Sequence, residues 1–391
     1  MIKIESRLVQ AKDVIGCYLY PKPFHTHLKE YFGRHKEFGS RDRKELRMLC
    51  YHFFRMGKAF SALPLEEKLL IGHFLAEDKP DRFVEFFCRN YNIINEEDTI
   101  LSLEDKISKI TKHFPDFLMQ SVFPAPGEMS NAVDKDKFYL SLLKQPPVWI
   151  KISPPFLKVA LNDLNTAGIE YVEYSPFIFK VNAESKLTET ESYKKGYFRV
   201  QDLASQEIAG YFKPKNGEIW WDCCCGAGGK SLALLDKGAN IELYATDIRK
   251  QVIKNYEERL QRHNIWNYKA LAADVAEGVP VNFPLLDGII IDAPCTGSGT
   301  WARNPENLAY FDAGVIQSFH TKQINILDRA FTALKPGGKL FYITCSVFSK
   351  ENEGAIEYFC KSHEVKIETQ TYIEGYNIEA ETMFLCVMKK I

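Results

Sequence analysis

No Cys-x-x-Cys pair occurs among the ten cysteines of this 391-residue chain, so the spacings of zinc ribbons, zinc fingers and dithiol redox centres are missing. Three cysteines run consecutively as Cys223, Cys224 and Cys225, an arrangement that suits neither a disulfide framework nor a metal cage. They read as reduced thiols, and no metal is expected. Long apolar runs are absent as well: no stretch approaches the roughly 18 residues of a membrane span, and Met1-Ile-Lys-Ile-Glu-Ser-Arg7 has no apolar signal core. The expectation is a cytoplasmic protein with no membrane partner, taken as a monomer. An excess of one charge is lacking too, with 50 Lys and Arg against 51 Asp and Glu. That excludes a globally basic nucleic-acid binder, so any contact with a polyanion must come from a local patch. Residues 1–60 offer one, with 13 basic against 6 acidic side chains, densest at Arg41, Arg43, Lys44 and Arg47. A solvated helix face is the competing reading of that patch.

What the chain does contain is an ordinary globular composition, long enough for more than one domain. Over residues 1–122 apolar side chains recur at helical spacing, as in Leu46, Leu49, Phe53, Met56 and Phe60 after a Ser40 cap. The turn-rich run Ser121-Val-Phe-Pro-Ala-Pro-Gly-Glu-Met-Ser-Asn131 opens a linker, placed at 123–144. Residues 145–205 read as a small α+β module, with strands near 146–152, 169–172 and 176–181 and a helix over 156–167. From 206 to 391 strands near 218–223, 241–246, 268–272, 286–291 and 339–344 alternate with amphipathic stretches at 250–263 and 314–334. That alternation predicts an α/β fold with a doubly wound, mostly parallel sheet.

The first of these strands leads into Asp222-Cys-Cys-Cys-Gly-Ala-Gly-Gly-Lys-Ser231. Glycines between a strand and a helix let the backbone turn sharply and approach a ligand. The loop is not a phosphate-binding P-loop, because Cys224 stands where that motif needs glycine, nor a dinucleotide fingerprint, because Ser231 stands at its third glycine. Asp247 ends the next strand, where a carboxylate accepts from ribose hydroxyls, and Asp274 follows the third strand at the same sheet edge. Each acid alone is as well explained as a helix cap; three in register with a glycine loop suggest a nucleoside-like ligand.

Two further strands end in thiols, Asp292-Ala-Pro-Cys295 and Tyr342-Ile-Thr-Cys345. Open α/β sheets bind ligands outside the carboxyl ends of their strands, which sets Cys295 and Cys345 apart from Cys17, Cys50, Cys88, Cys360 and Cys386, read as apolar filler. One chemistry that uses two thiols is methylation of carbon 5 of cytosine. A thiolate adds to carbon 6 and makes carbon 5 nucleophilic, and a second group helps remove the carbon 5 proton afterwards. Asp292 is placed to hydrogen-bond the cytosine ring as charge builds.

These segments resemble the Sun/Nop-type RNA (cytosine-5) methyltransferases. Asp222 to Ser231 resembles the family's cofactor motif, Asp292-Ala-Pro-Cys295-Thr-Gly-Ser-Gly its Asp-Ala-Pro-Cys motif, and Tyr342-Ile-Thr-Cys345-Ser with Glu351-Asn-Glu353 its Thr-Cys-Ser motif. Gly39-Ser-Arg-Asp-Arg-Lys44 looks like the NusB-like helical domain that precedes the core in ribosomal enzymes. The resemblance implies a class I methyltransferase domain with a seven-stranded sheet. It also implies S-adenosylmethionine held by Cys224, Cys225, Gly226, Ala227, Gly228, Gly229, Lys230, Asp247, Asp274 and Asp292. Cys345 would be the nucleophile, with Cys295 assisting release, and ribosomal RNA the partner. Gly226 and Ala227 depart from the family's alanine and proline, and Ala302 replaces an arginine before Asn304-Pro305. Rival expectations are a transfer RNA methyltransferase with the same chemistry and a non-catalytic RNA-binding assembly factor.

Overall fold

The computed structural model describes residues 4–60, 62–91 and 95–391; the first three residues of the segment read above for a signal sequence lie outside it. The chain forms two compact units. The first comprises residues up to Gly127 together with Asp134–Pro146 and Thr300–Ala313. It is built from helices Ile4–Gly16, Phe24–Arg34, Ser40–Arg55, Leu65–Ala76, Arg82–Tyr91, Leu103–His113 and Lys135–Leu142. Gly39 rather than Ser40 caps the third of these: its N–H donates to the Asp42 carboxylate at 2.9 Å, and Ser40 is the first helical residue. The apolar spacing runs on to Phe60, but the helix stops at Arg55. Beyond it Gly57 turns at φ +53°, where a side chain would meet the Val122 carbonyl oxygen at 2.1 Å.

Charge is built into this unit as well as displayed on it. Arg7 is buried and pairs with Asp42 and Glu45, and Arg82 pairs with Glu45. Residues 300–313, which follow the Asp-Ala-Pro-Cys loop in sequence, pack here because they carry apolar and polar anchors. Trp301 lies 5.3 Å from the Phe123 ring and 4.6 Å from that of Phe311. Phe24 N–H donates to Glu306 at 3.0 Å, and Arg55 donates to the Ala302 carbonyl at 2.7 Å. Of the turn-rich stretch expected to link, Glu128–Val133 belongs to the second unit, where Met129 bridges to Phe348.

The second unit holds two sheets. Strands β1 (Val148–Ile152), β2 (Tyr171–Ser175), β3 (Ile178–Val181) and β4 (Phe198–Val200) form an antiparallel sheet in the order β2-β3-β1-β4. Helix Leu157–Thr166 covers it through Ala160 and Leu164. Strands β5 (Ile219–Asp222), β6 (Glu242–Asp247), β7 (Tyr268–Ala272), β8 (Leu286–Asp292), β9 (Leu334–Thr344), β10 (Val365–Ile373) and β11 (Met383–Lys390) form the larger sheet. Its order is β10-β11-β9-β8-β5-β6-β7, and only β11 runs against the others.

Both faces of the larger sheet are covered, which is why its central strands are continuous apolar runs rather than alternating ones. On one face Trp221, Ile289, Ile291, Leu340 and Tyr342 pack with Leu327 of helix Ile316–Thr332 and Phe359 of helix Glu353–Cys360. On the other, Trp220, Ile290, Phe341 and Ile343 pack with Ala204 and Ala233 of helices Leu203–Ile208 and Gly229–Leu235. β5 has β6 on one side and β8 on the other, so chain direction switches beside it and a crevice opens at its carboxyl end.

Gly288 is paired with Trp220 across β8 and β5, and a Cβ there would lie 2.5 Å from the indole. Gly288→Ala is therefore expected to lower unfolding stability by about 1–3 kcal/mol through overpacking. Urea denaturation checks this, and an unchanged midpoint would mean that the indole has room to move.

Candidate active site

The loop after β5 is held from below by its neighbour strand. Cys225 N–H donates to the Thr246 carbonyl at 2.9 Å, and Thr246 Oγ1 donates to the Cys223 carbonyl at 2.8 Å. Gly226 and Gly228 take φ of +50° and +84°, which side chains rarely adopt. A side chain at Gly228 would also touch Tyr256 and Leu260 at 3.0 Å, so helix Lys250–Arg262 can approach only a bare backbone here. Asp222, at the end of β5, is fully buried. One of its oxygens accepts from Ser231 Oγ at 2.7 Å, while the other has no hydrogen-bond partner. Burial, reinforced by the charge of Asp292 and opposed by Ser231 and Lys230, raises its pKa from 3.8 to about 7.

Asp247 ends β6 with 6 % exposure and is saturated by donors: Gly226 N–H at 3.2 Å, Arg249 N–H at 3.0 Å, and the Arg249 guanidinium at 2.9 and 3.1 Å. Burial works to raise its pKa, but Arg249 and the two backbone N–H groups outweigh it and hold the carboxyl below the usual range. Lys230, nearly buried, reaches from the loop to Ser205 Oγ at 2.9 Å and to Asp292 at 3.2 Å, so it ties the end of β8 to the loop.

A cavity of about 320 Å³ opens between these strand ends, lined among others by Cys224, Asp247, Asp274, Asp292, Cys295 and Lys322. Cys225 instead packs beneath the loop with Leu232 and Tyr256. Ala227 borders a different cavity, of about 360 Å³, with Arg199, Arg259, Arg262 and His263. There Arg259 donates to the Ala227 and Val200 carbonyls, Arg262 lies over the Tyr193 ring, and burial lowers the pKa of His263 to about 4. Gly229 is turned inward, its carbonyl accepting from Gln201 at 3.1 Å.

The two strand-end thiols meet: Cys295 Sγ lies 3.3 Å from Cys345 Sγ. The hydrogen bond shared with Cys295, then burial and the nearby Asp292 charge, hold Cys345 protonated well above the usual cysteine range. Their spacing is fixed by Glu351, which is fully buried. It accepts from Thr296 N–H at 2.9 Å, Thr296 Oγ1 at 2.6 Å, Gln323 Nε2 at 3.1 Å and Ser346 Oγ. Thr296 follows one thiol and Ser346 the other. Asn352 clamps both residues flanking Cys345, accepting from Thr344 Oγ1 and donating to the Ser346 carbonyl at 2.8 Å. Gly299 N–H donates to the Cys345 carbonyl at 2.9 Å, and a side chain at Gly299 would collide with the Thr382 carbonyl oxygen at 2.0 Å. Arg249 and Gln323 were not singled out by the sequence. The one lies two residues past an acid, and the other is a lone polar residue on the inward face of an apolar helix.

The sheet order, the single reversed strand and the loop at the carboxyl end of β5 are those of a class I S-adenosylmethionine-dependent methyltransferase. Residues 209–387 match the family described as 16S rRNA methyltransferase RsmB/F. The matched stretch takes in strands β5 to β10, most of β11, the glycine loop and both thiols. The probable ribosomal RNA small subunit methyltransferase B of Coxiella burnetii is 29 % identical over 217 residues, which cover 54 % of this chain and 50 % of that protein. The ribosomal RNA small subunit methyltransferase B of Photorhabdus laumondii is 32 % identical over 225 residues, 56 % of this chain and 52 % of its own. The chain thus spans about half the length of these relatives. Among solved structures, PH0851 shares the fold over 100 % of both chains with a TM-score of 0.70 at 21 % identity. NSun6 from Pyrococcus horikoshii with SFG covers 66 % of this chain and 94 % of its own, with a TM-score of 0.58 at 18 % identity. Among the described residues no helix is long and apolar enough to cross a membrane.

Asp222 binds its proton more tightly folded than unfolded, so its contribution to stability is complete below an unfolded pKa near 3.8 and is lost as pH rises through about 7. Stability is expected to fall between pH 5 and pH 8, by about 2–3 kcal/mol from this group, and Asp222→Asn should flatten that fall. Melting curves at the two pH values decide it: parallel profiles for the two proteins would remove Asp222 as the cause.

Proposed function

We propose that this chain methylates carbon 5 of a cytosine in RNA through a covalent adduct on Cys345. The observation that carries the reading is the approach of two thiols at the ends of neighbouring strands, beside an acid-lined cavity. The cavity suits a cationic nucleoside. Asp247 faces ribose hydroxyls in place of the exposed Arg249 guanidinium, Asp274 the adenine amine, and Cys224 at the start of the glycine loop lines the wall beside them. S-adenosylmethionine bound there supplies the methyl group as an electrophilic sulfonium.

Cys345 adds as thiolate to carbon 6 of the cytosine, and the electron pair displaced toward carbon 5 takes up the methyl group. Asp292 accepts from the exocyclic amine, with Lys230 holding its carboxylate in place. Cys295, 3.3 Å from Cys345, assists loss of the carbon 5 proton, after which the carbon–sulfur bond breaks and the thiolate leaves. Ribosomal RNA is the favoured substrate, since the relatives above are named for it. Arg259 and Arg262 provide phosphate contacts near the loop. In the helical unit, which we read as NusB-like, Arg7 and Arg55 are buried, so phosphate contact falls to exposed side chains such as Arg41.

The full chain incubated with ribosomal RNA and methyl-labelled S-adenosylmethionine tests this. Cys345→Ala is expected to abolish both transfer and any protein–RNA adduct. Cys295→Ala should instead accumulate a denaturation-resistant adduct, because attack proceeds while proton loss is slow. The opposite pattern would exchange the roles of the thiols, and full activity in both variants would end the covalent reading. Turnover should also climb as pH is raised from about 7 to about 9, because the thiolate is the reactive form and Cys345 is held protonated. A pH-independent rate would show that another step limits turnover.

A further inference from the structure

Two buried histidines in the helical unit have no part in that chemistry. His52 lies on helix Ser40–Arg55 and His73 on helix Leu65–Ala76, and their Nδ1 atoms are 3.2 Å apart. The helices come this close because Gly72 has no side chain; a Cβ there would sit 2.6 Å from the His52 carbonyl oxygen. The outer nitrogen of each imidazole faces a carboxylate. His73 Nε2 lies 3.0 Å from both oxygens of Asp81, and His52 Nε2 is 3.9 Å from Glu77.

The protons cannot be distributed comfortably among these atoms. Asp81 already accepts from the Phe83 and Val84 N–H groups, each at 3.0 Å, so it faces His73 as an acceptor too. The proton of His73 therefore sits on Nε2, leaving a lone pair on Nδ1 aimed at His52. If His52 donates from Nδ1 to that lone pair, its own Nε2 lone pair faces the Glu77 carboxylate. If it carries its proton on Nε2 instead, two Nδ1 lone pairs face each other. Either tautomer leaves two acceptors opposed in a buried site. Either a second proton on the pair or a bound cation answers both oppositions.

A cation resolves it in either tautomer, and we propose that His52, His73 and Glu77 bind a divalent transition-metal ion. One ligand atom from each lies within 4.8 Å of the other two. The 3.2 Å between imidazole nitrogens matches the span of about 3.3 Å across a tetrahedral ion with metal–nitrogen bonds of about 2.0–2.1 Å. Glu77, half-buried at the end of its helix, supplies the carboxylate of the third edge. Asp81 supplies the outer hydrogen bond that metal-bound imidazoles usually make. Two imidazoles and a carboxylate suit zinc and its first-row neighbours better than magnesium or calcium, which prefer all-oxygen sites. Arg55 opposes a cation here, and its guanidinium is committed to the Leu142, Lys144 and Ala302 carbonyls. The ion would staple two helices of the unit together.

The test uses the full chain, purified without a histidine tag and stripped by chelator. Zn²⁺ titrated into it should bind at about one equivalent and raise the melting temperature. Because removing a fully buried histidine can unfold the unit, the informative variant is Glu77→Gln, which should weaken binding at least about tenfold while leaving the metal-free melting temperature in place. Co²⁺ in the same site should show visible ligand-field bands without the near-ultraviolet sulfur-to-cobalt transition that cysteine ligands add. No stoichiometric site, unchanged affinity in Glu77→Gln, or a sulfur transition that persists in that variant would each overturn the proposal. The last outcome would move the metal to the cysteines.

Discussion

The Glu351 carboxylate is the constraint on which the geometry of the two strand-end thiols rests. It comes from the short turn before helix Glu353–Cys360, yet its partners lie on the loop after β8, the segment after β9 and helix Ile316–Thr332. Burial raises the pKa of this group, and the bonds from Ser346, Thr296 and Gln323 resist that rise. A buried carboxylate is tolerable when its lone pairs are taken, and here the Thr296 and Ser346 donors belong to the segments that carry the two thiols. The 3.3 Å between Cys295 and Cys345 is thus a property of a polar network. Neither β8 nor β9 could set it alone, because register along a strand moves side chains in steps of several ångström.

The same logic extends outward to the loop after β5. Lys230 leaves that loop to meet Asp292 beside the thiols, so the glycine loop and the end of β8 share one ion pair. Thr246 joins β6 to the same loop through both its backbone and its hydroxyl. A displacement at one strand end is passed on by hydrogen bonds rather than absorbed by soft packing. The apolar layers on the two faces of the sheet supply the stiffness behind this, since Ile289, Ile290 and Ile291 are each wholly buried and side chains in such layers have no slack.

Much of this was legible in the chain before any coordinates. β5, β6 and β8 declare themselves as apolar runs ending in Asp, and β9 as one leading to Cys345, because a strand covered on both faces has no polar side to hide its period. The cysteines at two strand ends stood out for the same reason. Harder to read were features made by residues distant in sequence. Nothing signals that residues 300–313 pack with the helical unit, because Trp301 and Phe311 look like any apolar loop anchors until Phe123 is placed beside them. His52 and His73 are 21 residues apart on two helices, outside any short-range spacing rule. Arg7 and Arg55 counted as surface charge in the sequence, and burial withdraws both from the basic patch. Net charge over a window cannot anticipate which cations face inward.

Asp247 shows how a ligand site can be stable without its ligand. At 6 % exposure an unpaired carboxylate would cost several kcal/mol. The glycine loop satisfies one of its oxygens through a single N–H, and Arg249 supplies the remaining donors from a side chain that is itself 65 % exposed. On the proposed reading, ribose hydroxyls arriving at Asp247 would exchange with a guanidinium instead of filling a void. The affinity contributed at this point is the difference between two sets of charge-assisted hydrogen bonds, smaller than either. Arg249 keeps the buried acid paired when no ligand is present. The acid whose position first suggested a nucleoside is thus one that the fold has already satisfied through its own loop and its own neighbour.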